Sequence, residues 1–262
     1  MTYGWAILII AIVLAALFSL NLFNPYTFAP RASPGSCQIM RPNGPGSNLF
    51  VSAVGPTCTI NEIPQYVAQF NGQTSYATIP FSSTGIVNFG YFTFNSYGES
   101  ICFFEVEWNC GTTPAKLDTW QFVAISNNLP ANQINLYLGK QPVYTGGSQG
   151  TYTVTITAWI YPTSFQQGDI INYWYGIGCR NPNSNCFAGS IANIQIYNTS
   201  LSQPEIQALY QEGIGGAPTN LQNLVGWWPL NGNSKDYSGN NNNGVPTNVI
   251  YTSSWTSGYS TP

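Results

Sequence analysis

The chain has 262 residues, of which 6% are charged, 44% hydrophobic and 15% aromatic, with no histidine and a formal net charge of −3. A basic surplus is missing, so there is no electrostatic case for a nucleic-acid partner; with no histidine, neither a Ser-His nor a Cys-His nucleophile can be assembled. The apolar content is enough for a packed core, and disorder would need low hydrophobicity as well as high net charge.

The first feature in chain order is Tyr3 to Phe23, YGWAILIIAIVLAALFSLNLF, which carries no charge; the first charged residue is Arg31. Only Gly4, Ser19 and Asn21 interrupt the run. A helix apolar on every face must be buried on every face. At ~1.5 Å per residue it would be roughly 30 Å long, enough to cross a bilayer. A cleaved secretory signal would need a basic flank and a shorter apolar core. A single-span anchor would carry Lys or Arg on its cytoplasmic side, although Tyr3, Trp5, Phe23 and Tyr26 suit interfacial aromatic belts. The third reading is a helix that packs against copies of itself. Ala11 and Ala15 stand four apart and permit close approach, and Ile9, Ile12, Val13 and Leu17 supply the interlocking side chains.

The segment MTYGWAILIIAIVLAALFSLNLF resembles the N-terminal helix of archaeal type IV pilin-like proteins. The resemblance implies a helix that is membrane-inserted at first and is then drawn into the core of an extracellular filament, so that the partner is a helical homopolymer of the same chain. The charged leader and the acidic residue of that family's pattern would stand upstream of Met1. Residues 1–24 are thus expected to be filament core or membrane span. Residues 25–60, broken by Pro25, Pro30, Pro34, Pro42, Pro45 and Pro56, are expected to form a neck.

All six cysteines follow the apolar run, and an even count in an exported body reads as disulfides. The sequential pairs Cys37–Cys58, Cys102–Cys110 and Cys179–Cys186 are expected, because each closes a local loop. The absence of Cys-x-x-Cys and of histidine argues against a zinc site.

From Tyr66 onward the pattern is β. YVAQFNGQTSYATIP alternates, turns at Asn71-Gly72 as a hairpin would, and resumes. Further strands are expected at Tyr91 to Phe94, Ile101 to Trp108, Trp120 to Ser126, Gln133 to Leu138, Thr151 to Tyr161, Ile170 to Ile177 and Ser190 to Tyr197. In the fourth of these, Ile134, Leu136 and Leu138 point inward. Ser202-Gln203-Pro204-Glu205 is a capping box that opens one short helix, with Ile206, Leu209 and Tyr210 as its buried stripe and Gly213 at its stop. Strands separated by Gly, Pro and Asn turns suggest an antiparallel sandwich.

FAGSIANIQIYNTSLSQPEIQALY, TVTITAWIYPT, YVAQFNGQTSYATIP, and LVGWWPLNG with DYSGNNNNG resemble stretches of laminin G-like, concanavalin A-like domains. The resemblance implies a mainly β fold over residues 61–262, a jelly-roll sandwich following a long N-terminal hydrophobic helix. Here WWPLNG and DYSGNNNNG follow the FNG strand, where the family has them before it, an order that a circular permutation or a second, truncated domain would explain. The family includes glycan-binding lectins, adhesion modules and some glycoside hydrolases.

Trp227 and Trp228, with Trp159 and Trp174, are candidates for stacking on sugar rings, and core packing is the competing role. A calcium site can be drawn around Asp236 with Asn233, Ser238 and Asn240 as oxygen ligands; against it stands a polar turn that hydrogen-bonds its own backbone. Glu105 and Glu107 are the only close carboxylate pair in FFEVEW, and they read as exposed strand residues rather than a hydrolytic pair. Asn198-Thr199-Ser200 is the one N-glycosylation sequon. Together these features lead to the expectation of a non-enzymatic subunit of an extracellular pilus-like filament, with an adhesive lectin-like body. The alternative is a monomeric, membrane-anchored glycan-binding surface protein.

Overall fold

The computed structural model describes residues 39–40, 52–53, 64–79, 91–94, 100–104, 107–148, 150–165, 169–173, 176–181 and 184–262. The chain divides into two compact units, Met1–Ile60 and Asn61–Pro262. In the first, strands β1 (Ile39–Met40) and β2 (Ser52–Ala53) pair antiparallel. Residues 1–24, with Ile9, Ala11, Ile12, Val13, Ala15 and Leu17, lie outside the described residues, as do Cys37 and Cys58.

The expectation of a fold built on a long hydrophobic helix is corrected. Among the described residues the only α-helix is α1 (Gln203–Gln211), nine residues long, and no helix is long and apolar enough to cross a membrane. Strand pairing organises the described chain instead.

The second unit is built from two sheets. The first runs in the order β10 (Gln141–Gly146), β9 (Gln133–Leu138), β8 (Gln121–Asn128), β11 (Val154–Pro162), β16 (Ala188–Tyr197), β3 (Val67–Asn71) and β19 (Ile250–Thr252), all antiparallel. β17 (Leu224–Trp228) also pairs with β16. The second sheet runs β18 (Val245–Thr247), β4 (Tyr76–Thr78), β13 (Gly176–Ile177), β12 (Ile170–Tyr173), β5 (Tyr91–Phe94), β6 (Ser100–Phe104) and β7 (Trp108–Pro114). A small hairpin, β14 (Cys179–Asn181) and β15 (Ser184–Cys186), joins it beside β12.

Strand alternation decides which side chains meet between the sheets. Phe70, Val123, Ile125, Ile134, Leu136, Ile156, Ile160 and Ile194 face inward from the first sheet. They pack in one core with Phe92, Phe94, Ile101, Phe103, Ile171 and Ile177 of the second. Full burial of such side chains contributes about 1.5–3 kcal/mol each.

The ten residues of β16 serve two partners along one edge. Ala188 to Ile191 pair with β3, and Ile194 to Tyr197 pair with β17. The change falls at Asn193, a left-handed residue (φ 51°), beside a register shift against β11. The Asn193 side chain turns to the outer face. Its Oδ1 accepts from Trp227 Nε1 (2.8 Å) and Gln195 Nε2 (3.1 Å), and its Nδ2 donates to the Gly216 carbonyl (2.7 Å). This buried network pins the loop after α1 to the sheet.

Two expected strands are hairpin arms. The run Ile101 to Trp108 is divided between β6 and β7, and Ile170 to Ile177 between β12 and β13. Period-two alternation persists across a tight reversal, so the pattern alone does not locate the turn. The Asn71-Gly72 turn is not a hairpin; it carries the chain from β3 in one sheet to β4 in the other. Gly72 takes φ +73°, and Asn71 Oδ1 accepts the amides of Gln73, Thr74 and Ser75. Those bonds hold the crossover without a ladder.

Disulfides join Cys102 to Cys110 and Cys179 to Cys186, each across directly opposed strand positions. Among the described residues no cysteine is free.

Candidate functional site

Trp227 and Trp228 are neighbours on β17 and therefore point to opposite faces. Trp228 has 0% exposure, sits in the core between the sheets, and donates Nε1 to the Asn242 carbonyl (2.9 Å). Its ring lies over Gly226, where any Cβ would collide with it. Trp227 is 6% exposed on the other face and is held by Asn193. Neither indole presents an open face to a sugar. Trp159 is buried in an outer aromatic layer, stacked on Tyr210 and edge-on to Phe122 and Tyr259. Trp174 and Glu105 lie outside the described residues, and Glu107 is exposed.

Asp236 is committed to the backbone. Its Oδ1 accepts the amides of Trp227 (3.0 Å) and Ser238 (2.9 Å), and its Oδ2 accepts that of Asn242 (2.9 Å). The neighbours drawn above as calcium ligands turn the same way: Asn233 Oδ1 accepts Lys235 N, Ser238 Oγ donates to Val225 O, and Asn240 Nδ2 donates to Leu224 O and Val225 O. The arrangement is a polar plug that satisfies the end of β17. No group of three or more His, Cys, Asp or Glu is placed to hold a metal among the described residues. Asn198 is exposed on the turn leaving β16, accessible to a glycosyl donor.

The structure brings together a different set of residues. On β9 the inward Ile134 and Leu136 alternate with Gln133, Asn135 and Tyr137, which face outward. Opposite them stands the start of α1. Its position is fixed by Ser202, by Pro204 in the first turn, and by Glu205, whose Oε2 reaches back to the Ser202 amide (2.8 Å) and accepts the Ser202 hydroxyl (2.7 Å). Between strand and helix lies a groove of about 510 Å³, also lined by Asn128, Pro142, Thr145 and Leu201. That volume suits a small-molecule ligand.

The chemistry of the groove is amide and hydroxyl. Thr145 donates to Asn135 Oδ1 (2.9 Å), which leaves the Asn135 NH₂ to be used; among the described residues the Gln133 and Gln203 side chains have no partner. Burial raises the Tyr137 pKa, so the phenol stays neutral. Among the described residues Glu205 is the only charged side chain in the lining. Burial pushes its pKa up, but the hydrogen bonds from the Ser202 hydroxyl and amide, and from the Asn220 side chain, outweigh burial and hold it below the usual carboxylate range. A depressed carboxylate stabilises the fold above its unfolded pKa and loses that contribution as pH falls through the folded value. Acid titration followed by circular dichroism is therefore expected to lose stability below about pH 4.5, near the unfolded pKa. The Glu205→Gln variant is expected to have a flatter profile there.

The signal for this groove was present in QINLYL, in the polar half of an alternation whose apolar half marks the core. The helix supplies the other wall, and nothing in the sequence pairs the two.

No protein-family model matches the chain, and no curated protein matches it either. Among solved structures the chain is similar to a protein from Bacteroides ovatus described as a "putative carbohydrate binding protein", with a TM-score of 0.50 and 13% identity over 72% of this chain. The match spans 60% of that protein's chain. At this identity the likeness is one of fold, a mainly β antiparallel sandwich.

Proposed function

We propose that the second unit binds neutral carbohydrate in the groove between β9 and α1. The observation that carries this reading is the convergence of the Gln133 and Gln203 amides and the Asn135 NH₂ on one 510 Å³ groove with a neutral tyrosine at its floor. Sugar hydroxyls both donate and accept, and planar amides answer both. The description of the structural neighbour as carbohydrate binding supports the same reading. The role is binding without turnover: glycoside hydrolysis uses two carboxylates, and Glu205 is the only one in the lining.

Disulfides indicate an oxidising compartment outside the cytoplasm. An extracellular glycan-binding body suits attachment to surfaces or to other cells. Display of that body on a filament rests only on the apolar sequence of residues 3–23. Electron microscopy of the full chain tests it: filaments support display, and dispersed particles leave a singly presented surface protein.

The binding test is a glycan array with the full chain, followed by titration of the best neutral oligosaccharide. Gln133→Ala with Asn135→Ala removes two hydrogen-bonding amides worth about 0.5–1.5 kcal/mol each, so affinity is expected to fall about tenfold. An array with no neutral glycan bound overturns the proposal.

A further inference from the structure

A second cavity opens on the same outer face, toward the opposite edge of the first sheet. Its floor is a ladder across three strands: Tyr161 of β11 stands opposite Ser190 of β16, and Ser190 stands opposite Gln69 of β3. Alternation turns all three outward, since their neighbours Ala68, Phe70, Ile160 and Ile191 lie in the core. The walls come from Trp120 and from the closing segment of the chain, with Thr252, Ser254 and Trp255. The two indoles meet edge-to-face at 5.8 Å, and Trp120 is tilted against Tyr161 at 5.7 Å. Their N–H groups are already used: Trp120 Nε1 donates to Trp255 O (2.8 Å) and Trp255 Nε1 to Pro64 O (3.0 Å).

The floor groups are different. Among the described residues the Gln69 amide, the Ser190 hydroxyl and the Tyr161 phenol have no hydrogen-bond partner, and Ser190 is only 8% exposed. A hydroxyl this deep, without a partner and at the bottom of an open cavity, is available to a ligand. Among the described residues no charged side chain lines the cavity. With a volume of about 130 Å³ and one side open to solvent, it takes a single ring set part-way in and excludes a chain.

We propose that this cavity is a second saccharide subsite, taking one terminal neutral pyranose: hydroxyls on the Gln69–Ser190–Tyr161 ladder, and the apolar ring edge against the exposed rims of Trp120 and Trp255, whose ring faces are covered (6% and 5% exposed). It shares no residue with the groove. The two sites lie on one sheet face, with β8 and the outer aromatic layer between them. A branched glycan or a glycan-covered surface would then be held at two points, with the gain in avidity that linkage brings.

The test uses the full chain in detergent solution and saturation-transfer NMR. The probes are methyl glycosides of glucose, galactose, mannose and N-acetylglucosamine, together with the best neutral oligosaccharide from the array. One variant carries Gln69→Ala and Tyr161→Phe, the other Gln133→Ala and Asn135→Ala. At least one methyl glycoside is expected to bind the unmodified chain, to bind the groove variant equally well, and to lose at least tenfold in affinity with the Gln69/Tyr161 variant. Ser190→Val, which fills the floor, should give the same loss. If no methyl glycoside binds while the oligosaccharide still does, the second subsite is wrong and the groove stands. Methyl glycoside binding that the Gln69/Tyr161 and Ser190 variants leave unchanged is equally fatal to it. If nothing binds at all, both proposals fail.

Discussion

Trp228→Ala is expected to be among the most damaging single substitutions in this protein. The side chain is fully enclosed between the sheets, and its ring fills the space that Gly226 leaves open beside it. Truncation removes the transfer free energy of an indole and leaves a cavity whose walls are strands locked by ladders on both sides. It also strands the Asn242 carbonyl, which accepts the indole N–H. Large aromatic truncations of this kind cost about 3–5 kcal/mol, against a total stability of roughly 5–15 kcal/mol for an ordinary domain. Thermal unfolding should shift down by roughly 10 °C. Trp228→Phe separates the two contributions: most of the volume stays, the donor is lost, and the expected cost is about 1–3 kcal/mol. A Trp228→Ala protein with unchanged melting temperature would mean that the ring is not enclosed as described.

The second large effect is expected at Asp236. One carboxylate there accepts three backbone amides from residues 227, 238 and 242, so it fixes the end of β17 and both limbs of the Asn-rich loop. Ala at this position leaves those donors without their acceptor. Hydrogen bonds to charged groups are worth about 1.5–3 kcal/mol each and are not additive within one group, so about 2–4 kcal/mol in total is expected. Asp236→Asn keeps one acceptor oxygen and should fall between the two. The same melting experiment separates the loop-fixing role from an ion-binding one. With the carboxylate occupied by the backbone, neither calcium nor a chelator should move the melting temperature of the unmodified chain. A rise on adding calcium that disappears in Asp236→Ala would instead make Asp236 a ligand.

Much of the sandwich was legible because burial imposes a period. QINLYL is a strand over the expected residues, TYTVTITAWIY and SIANIQIY are central strands, and Ser202 to Glu205 opens the helix. What the period cannot carry is the partner of each strand. Asn71-Gly72 has the chemistry of a hairpin, yet the chain passes there from one sheet to the other, a choice made by the distant strands β16 and β13. The same limit explains the site. Tryptophan was weighed as a sugar platform because it is large and amphipathic, but Gly226 before it and Asn193 across from it create pockets that enclose both indoles. The groove instead uses Gln133 and Asn135, side chains unremarkable until α1 is placed over them. The filament reading drew on residues 3–23 alone, and the described fold is carried by strands.

The bond from Trp255 to the Pro64 carbonyl has a consequence for synthesis. It links residues 191 apart, and two neighbouring bonds do the same, Tyr66 to Asn231 over 165 residues and Ser75 to Asn248 over 173. β3 lies between β16 and β19, both made long after it. While the chain is emerging, Val67, Ala68 and Phe70 have no sheet to join, and the core between the sheets stays open on that side. Closing so large a loop comes late, after local hairpins such as β8–β9–β10 have formed. The body therefore cannot complete itself before its last strand is available. A chain in that condition needs shielding from its neighbours until residue 255 arrives.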